Sequence, residues 1–342
     1  MSDLSYLPQL LLPWFEANRR ELPWRDTREP YRVWISEIML QQTRVEAVKN
    51  YYLRFLQAFP TVEALAAGEE AQLLKLWEGL GYYNRARNLR RAARMIVASG
   101  AFPDHYDAIV QLPGIGAYTA GAIASICFEE KKAAVDGNVL RVYTRLMADA
   151  TPLEKLKKQV KAQLEEIYPA GRCGDFTQAL MELGATVCLP NGLPLCEQCP
   201  LRERCLALQS GDPMAFPVRT AQKPRRKEEL TVFLLESEDR WALERRPENG
   251  LLAGLWQLPN VPGLLSPEQA VRQAEEWGCS PLDLTRQLER RHLFTHIEWE
   301  MRGYVLRCRA NPERFFWANQ RELCENYALP TAFKQFFDNK EE

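Results

Sequence analysis

The chain has 342 residues, an apolar fraction of 46% and a formal net charge of −1. That length suits two domains, each able to bury a core, and the net charge by itself says nothing about a nucleic-acid partner. The first apolar cluster, Leu10, Leu11 and Leu12, is short and ends at Pro13, and no apolar run is long enough to cross a membrane, so a soluble intracellular protein is expected rather than a secreted or membrane-embedded one.

To about residue 208, apolar residues recur at helical spacing, as in Val45, Val48, Tyr52, Phe55, Leu56 and Phe59. Pro30, Pro60, Gly100 and Pro113 punctuate the pattern, and no hairpin signal interrupts it. Early in this part, Glu37 stands in the apolar stretch Trp34-Ile-Ser-Glu-Ile-Met-Leu-Gln-Gln-Thr43. Buried, it would hold its proton to near neutral pH and could act as a general acid. Periodicity alone instead packs Ile35, Ile38, Met39 and Gln42 and turns Glu37 to water. Arg85, Arg87, Arg90, Arg91 and Arg94 crowd one helical stretch, which reads as a solvated face or as a row of phosphate contacts.

Further on, Leu112-Pro-Gly-Ile-Gly116 sets two glycines between apolar helices. Such a turn lets backbone N–H groups approach an anion at the next helix start, although it could be only a tight connection between helices. Asp136 has the type and position of a helix N-cap, which does not exclude a functional role.

Five of the nine cysteines stand alone: Cys127, Cys173, Cys279, Cys308 and Cys324. The other four form Cys188-x7-Cys196-x2-Cys199-x5-Cys205. A disulfide framework would be spread differently and would need a secretory signal. Four clustered thiolates read as metal ligation in a reducing compartment, for zinc or a [4Fe–4S] cluster. A segment rich in Pro, Lys and Arg follows, from Phe216 to Lys227, as an interdomain linker would. Beyond it the pattern becomes mixed. Strands are expected at Leu230 to Leu235 and Trp241 to Glu244 across a tight turn at Glu238-Asp239, a helix from Ser266 to Trp277, and strands around Gly303 within His292 to Leu306.

Several of these stretches together resemble the MutY family of adenine DNA glycosylases, in the family's order. They are Leu22-Pro-Trp-Arg25, Ser36-Glu37 with Gln41-Gln42-Thr43, Leu80-Gly-Tyr-Tyr-Asn-Arg-Ala-Arg87, the glycine hairpin, Val135-Asp-Gly-Asn138 and the four cysteines. The likeness continues through Leu255-Trp-Gln-Leu-Pro259 and Phe294-Thr295-His296. It implies two domains: an all-α helix-hairpin-helix glycosylase at 1–215 with an iron–sulfur loop at 188–205, then a linker at 216–228 and an α+β MutT/Nudix-like domain at 229–338.

The implied activity is hydrolysis of the N-glycosidic bond of adenine mispaired with 8-oxoguanine or guanine in duplex DNA. The resemblance makes Glu37 the acid at adenine N7 and Asp136 the stabiliser of the oxocarbenium-like sugar, with Tyr118 and Asn138 nearby. It gives Arg25 and Gln178 the extruded adenine, and Gln42, Leu80, Tyr82 and Thr295 the 8-oxoguanine side. Gly114 and Gly116 would grip a DNA phosphate. Cys188, Cys196, Cys199 and Cys205 would hold a [4Fe–4S] cluster in a loop whose first gap is one residue longer than usual, the extra residue fitting at Asn191-Gly192. A working MutT-type hydrolase needs an Arg-Glu…Glu-Glu-x-Gly helix. Glu275-Glu-Trp-Gly278 survives here, but Val271-Arg272 precedes it, so lesion sensing without hydrolysis is expected. The resemblance also implies a monomer, cytoplasmic and associated with the nucleoid, with no membrane partner. Two other readings differ in kind. A bifunctional endonuclease III-type lyase acting on damaged pyrimidines is opposed by Tyr118, and a non-catalytic iron–sulfur DNA sensor by Glu37 with Asp136.

Overall fold

The computed structural model describes residues 3–218 and 224–338. The described chain divides into two compact units, 3–67 with 87–218 and 68–86 with 224–338. The expected linker lies partly outside the described residues, at 219–223, and its last three residues already belong to a strand.

The first unit is helical. Its core draws Leu7, Leu11 and Phe15 from the Leu7–Asn18 helix, Val139 and Leu146 from Gly137–Met147, Val160 and Leu164 from Leu153–Ile167, and Phe176, Leu180 and Leu183 from Cys173–Thr186. The Pro30–Leu40 helix starts at a proline with Glu29 as N-cap, its carboxylate accepting from the Tyr31 and Arg32 amides. Gly116 caps the Ala117–Phe128 helix. Gly114 has φ 78°, and a Cβ there would lie 2.6 Å from Asn88 Cβ, so glycine is required on both counts. Among the described residues, no helix is long and apolar enough to cross a membrane.

The second unit carries a mixed sheet of β1 (Arg226–Ser237), β2 (Arg240–Arg245), β3 (Trp256–Gln257), β4 (Asn260–Pro262), β5 (Pro281–Leu293), β6 (Ile297–Cys308) and β7 (Phe316–Asn319). The order is β3-β2-β1-β6-β5, with β4 added to β1 and β7 to β2. Among the described residues, only β1 and β6 pair in parallel; the other pairings are antiparallel. Val232 and Leu234 pack on one face of β1, Phe233 and Leu235 on the other, which is why this strand reads as one unbroken apolar run. Glu238 and Asp239 take φ of 51° and 59°, as the expected hairpin turn requires. Ser266 and Gln269 form a capping box at the start of Pro267–Glu276. The C-terminal strands run further than the sequence suggested. The chain turns at 294–296, and Gly303 sits inside β6, where a Cβ would collide with the Phe336 ring.

Candidate active site

Glu37 is buried at 6% exposure, not turned to water. The Pro30–Leu40 helix is buried on nearly every side, from Tyr31 and Val33 through Met39, so it has no polar face for Glu37 to join. The Tyr118 hydroxyl donates to Glu37 Oε2 at 3.0 Å. Burial pushes the Glu37 carboxyl up to about 7; the Tyr118 bond opposes the shift, Asp136 adds to it, and Arg25 opposes it.

These groups line one cavity of about 190 Å³ that also takes in Asn138, Gln178, Met181 and Glu182. The first unit thus brings together all six residues expected around the adenine and its sugar: Arg25, Glu37, Tyr118, Asp136, Asn138 and Gln178. Asp136 serves two purposes. Its Oδ1 accepts from the Val139 amide at 2.8 Å, which caps the Gly137–Met147 helix, while Oδ2 accepts from Asn138 Nδ2 at 2.7 Å.

Glu182 was not anticipated. It is fully buried and accepts from Arg20 at the backbone amide (2.9 Å), Nε (2.8 Å) and Nη2 (2.8 Å), and from Arg25 Nη2 at 2.6 Å. Burial works against its charge, yet the Arg20 and Arg25 bonds outweigh it and hold the carboxyl down at about 2. The readable signal was helical spacing: Gln178, Met181, Glu182 and Ala185 all line the cavity from one helix face.

Beside the site, Arg141 is 7% exposed. It donates through Nη2 to Asn138 Oδ1 (2.8 Å) and the Gly184 carbonyl (2.7 Å), and through Nε to the Cys188 carbonyl (2.8 Å). Gly184 permits this crowding, since a Cβ there would fall 2.6 Å from Asn138 Cβ. Cys188, Cys196, Cys199 and Cys205 line a cavity of about 30 Å³ with Arg145, whose Nη1 lies 3.3 Å from Cys188 Sγ. Among the described residues, no three His, Cys, Asp or Glu side chains close on a single-ion position. Gly192 takes φ 71° within the long first gap.

Outside the cavity, Gln42 and Tyr82 are exposed non-glycine residues with φ of 58° and 45°, a costly conformation often found at functional positions. In the second unit, the Tyr82 hydroxyl lies 2.6 Å from Thr295 Oγ1. Leu80, expected on the 8-oxoguanine side, is 6% exposed; its carbonyl accepts from Arg85 Nη2 at 2.7 Å, so it supports the Tyr82 turn from below. Arg85 itself is drawn into that turn, over the Trp77 and Tyr82 rings, and burial lowers its pKa to about 10. It therefore differs from Arg91 and Arg94, which are exposed.

The HhH-GPD superfamily base excision DNA repair protein model matches residues 35–170, and a NUDIX domain model matches 231–339. The adenine DNA glycosylase of Mus musculus is 35% identical over 98% of this chain and 78% of its own length. The chain belongs to the adenine DNA glycosylase family. It is a base-excision enzyme acting on N-glycosidic bonds, with a helical glycosylase unit of endonuclease III-like fold and a Nudix-like mixed sheet. A thermostable thymine-DNA glycosylase structure aligns with a TM-score of 0.54 at 32% identity, covering 59% of this chain and 94% of that one. An endonuclease III–DNA covalent intermediate aligns at 0.52 and 23% identity, over 62% and 99%, which speaks to fold alone. For an adenine glycosylase, the two buried carboxylates of the cavity divide by partner: Glu182 meets arginines, and Glu37 meets a phenol.

Proposed function

We propose that the enzyme releases adenine paired with 8-oxoguanine, and with guanine, from duplex DNA and leaves an uncut abasic site. One observation carries this reading: Glu37, carrying its proton to about pH 7, shares a cavity with Asp136 and with a tyrosine where imine chemistry would need a lysine. The adenine must first leave the stack, and Arg25 and Gln178 line the space to receive it. Tyr118 occupies Glu37 Oε2, which leaves Oε1 to carry the proton to N7. As the C1′–N9 bond breaks, positive charge grows on the sugar; the Asp136 carboxylate stabilises it and orients the incoming water. Asn138 holds that carboxylate in place.

The four cysteines suit a [4Fe–4S] cluster: all four donors are thiols, and they line one small cavity together. When bound, the cluster supplies structure, holding the 188–205 loop for DNA. Gln42, Tyr82 and Thr295 face the 8-oxoguanine, and the open Gly116 backbone takes a phosphate. We assign the glycosylase domain to 1–215, the linker to 216–225, ending where β1 begins, and the lesion reader to 226–338, in a monomer that works on the nucleoid in the cytoplasm. The test is base release from duplexes carrying A:8-oxoG, A:G, A:T or thymine glycol. Release from the first two alone is expected; release of thymine glycol with strand cleavage would overturn the reading.

A further inference from the structure

The turn between β5 and β6 closes on itself through one bond, from the Phe294 amide to the Ile297 carbonyl at 2.8 Å. Two more of its carbonyls are taken by consecutive residues from outside the hairpin. Arg225 Nε donates to the Phe294 carbonyl at 2.9 Å, and the Arg226 amide donates to the His296 carbonyl at 3.0 Å. The Arg226 bond opens the parallel β1–β6 ladder, in which Arg226 stands opposite Ile297 and Glu228 opposite Trp299. Beneath the turn, the Phe294 ring meets His292 at 4.6 Å and Trp299 at 4.8 Å, and Trp299 Nε1 donates to Glu228 Oε2 at 2.8 Å. Thr295 is left exposed at the tip, between two held carbonyls.

We propose that Arg225 is a positioning residue for lesion reading: its bond to the Phe294 carbonyl holds the 294–296 turn in the conformation that presents Thr295, and so helps the enzyme tell 8-oxoguanine from guanine opposite adenine. This rests on the role given to Thr295 above. An arginine suits the task because its fixed N–H direction and permanent charge give a stronger bond to a carbonyl than a neutral donor would. The segment leaving the glycosylase unit therefore has a second use besides tethering.

The test uses the full-length enzyme with Arg225→Ala, Arg225→Lys and Thr295→Ala. Single-turnover base release is measured on A:8-oxoG and A:G duplexes, with Tm and the salt dependence of binding recorded alongside. Arg225→Ala should lower the A:8-oxoG over A:G preference roughly three- to tenfold, the worth of one exposed charge-assisted bond, while the A:G rate and Tm stay near the parent. Arg225→Lys should recover part of the preference. If Thr295→Ala loses preference and Arg225→Ala does not, the positioning role is wrong. An equal loss on both duplexes with a shallower salt slope would make Arg225 a phosphate contact and overturn the inference. An unchanged preference in Thr295→Ala would reject the reading of the turn itself, and this inference with it.

Discussion

Glu37 and Glu182 line the same cavity, both shielded from water, and they ionise near opposite ends of the carboxylate range, at about 7 and about 2. Partners make the difference: Glu182 meets two arginines, while Glu37 meets mainly burial and a phenol. Because the folded-state value of Glu37 lies above its ordinary value of 4.5, its protonated form favours the fold at low pH, and that contribution is lost as pH rises through about 7. The cost of the ionised form is on the order of 3 kcal/mol. Glu37→Gln should therefore abolish base release, keep lesion binding, and raise thermal stability at pH 8 but not at pH 4.5. Melting curves at the two pH values and a single-turnover assay check all three; near-normal release by the variant would remove Glu37 from the acid role. In the parent, kcat/KM should decline above about pH 7 as the acid is lost. Tyr118 offers a separate test. Tyr118→Lys puts an amine beside Glu37, and borohydride should then trap a covalent DNA adduct well above the parent level. Efficient strand cleavage by the parent, without heat or alkali, would instead favour the lyase reading.

At the scale of elements, Arg141 joins the start of the Gly137–Met147 helix to the end of Cys173–Thr186 and to the cysteine loop. Removing it strands three acceptors at once. Arg141→Gln should lower base release roughly 10- to 100-fold, as losses behind a first ring of ligands do, and should lower iron per chain as well. Full iron with a normal rate would show that loop and site are independent. Much of this architecture was legible, and the reasons are local. The Leu-Pro-Gly-Ile-Gly turn is dictated by backbone geometry, with Gly114 at φ 78°, so residue type alone reports it. The burial of Glu37 was not legible, because a helix buried on nearly every side has too little polar face to show a period. For Glu182, helical spacing with Gln178, Met181 and Ala185 marks the cavity-lining face but not the partner, Arg20, 162 positions away. Most of β5 escaped as well. Its exposed Arg286, Gln287, Glu289 and Arg291 leave too few apolar residues to mark a strand.

For the molecule as a whole, ending the chain near Arg219 should leave an active glycosylase that discriminates poorly between A:8-oxoG and A:G; unchanged selectivity would deny the second domain its reading role. The loss would reach beyond that domain's own sequence. Lys75 Nζ donates to the Leu323 and Tyr327 carbonyls at 3.1 and 2.9 Å, and Lys334 pairs with Glu78 at 3.0 Å, so the 68–86 segment should exchange its amides faster in the truncated protein. Magnesium-dependent hydrolysis of an oxidised dGTP by the full chain is not expected, because Val271 and Arg272 replace half of the helix motif such hydrolysis needs; measurable pyrophosphate release would reverse that view. The double use of Asp136 bears on how such an enzyme can change. Its carboxylate caps a core helix, so Asp136→Asn keeps the fold while removing the charge, and Asp136→Ala loses both. Selection for folding alone would thus retain aspartate or asparagine at that position. The same selection would discard Glu37, whose ionisation weighs against the fold, so only continued demand for the chemistry keeps both acids in one chain.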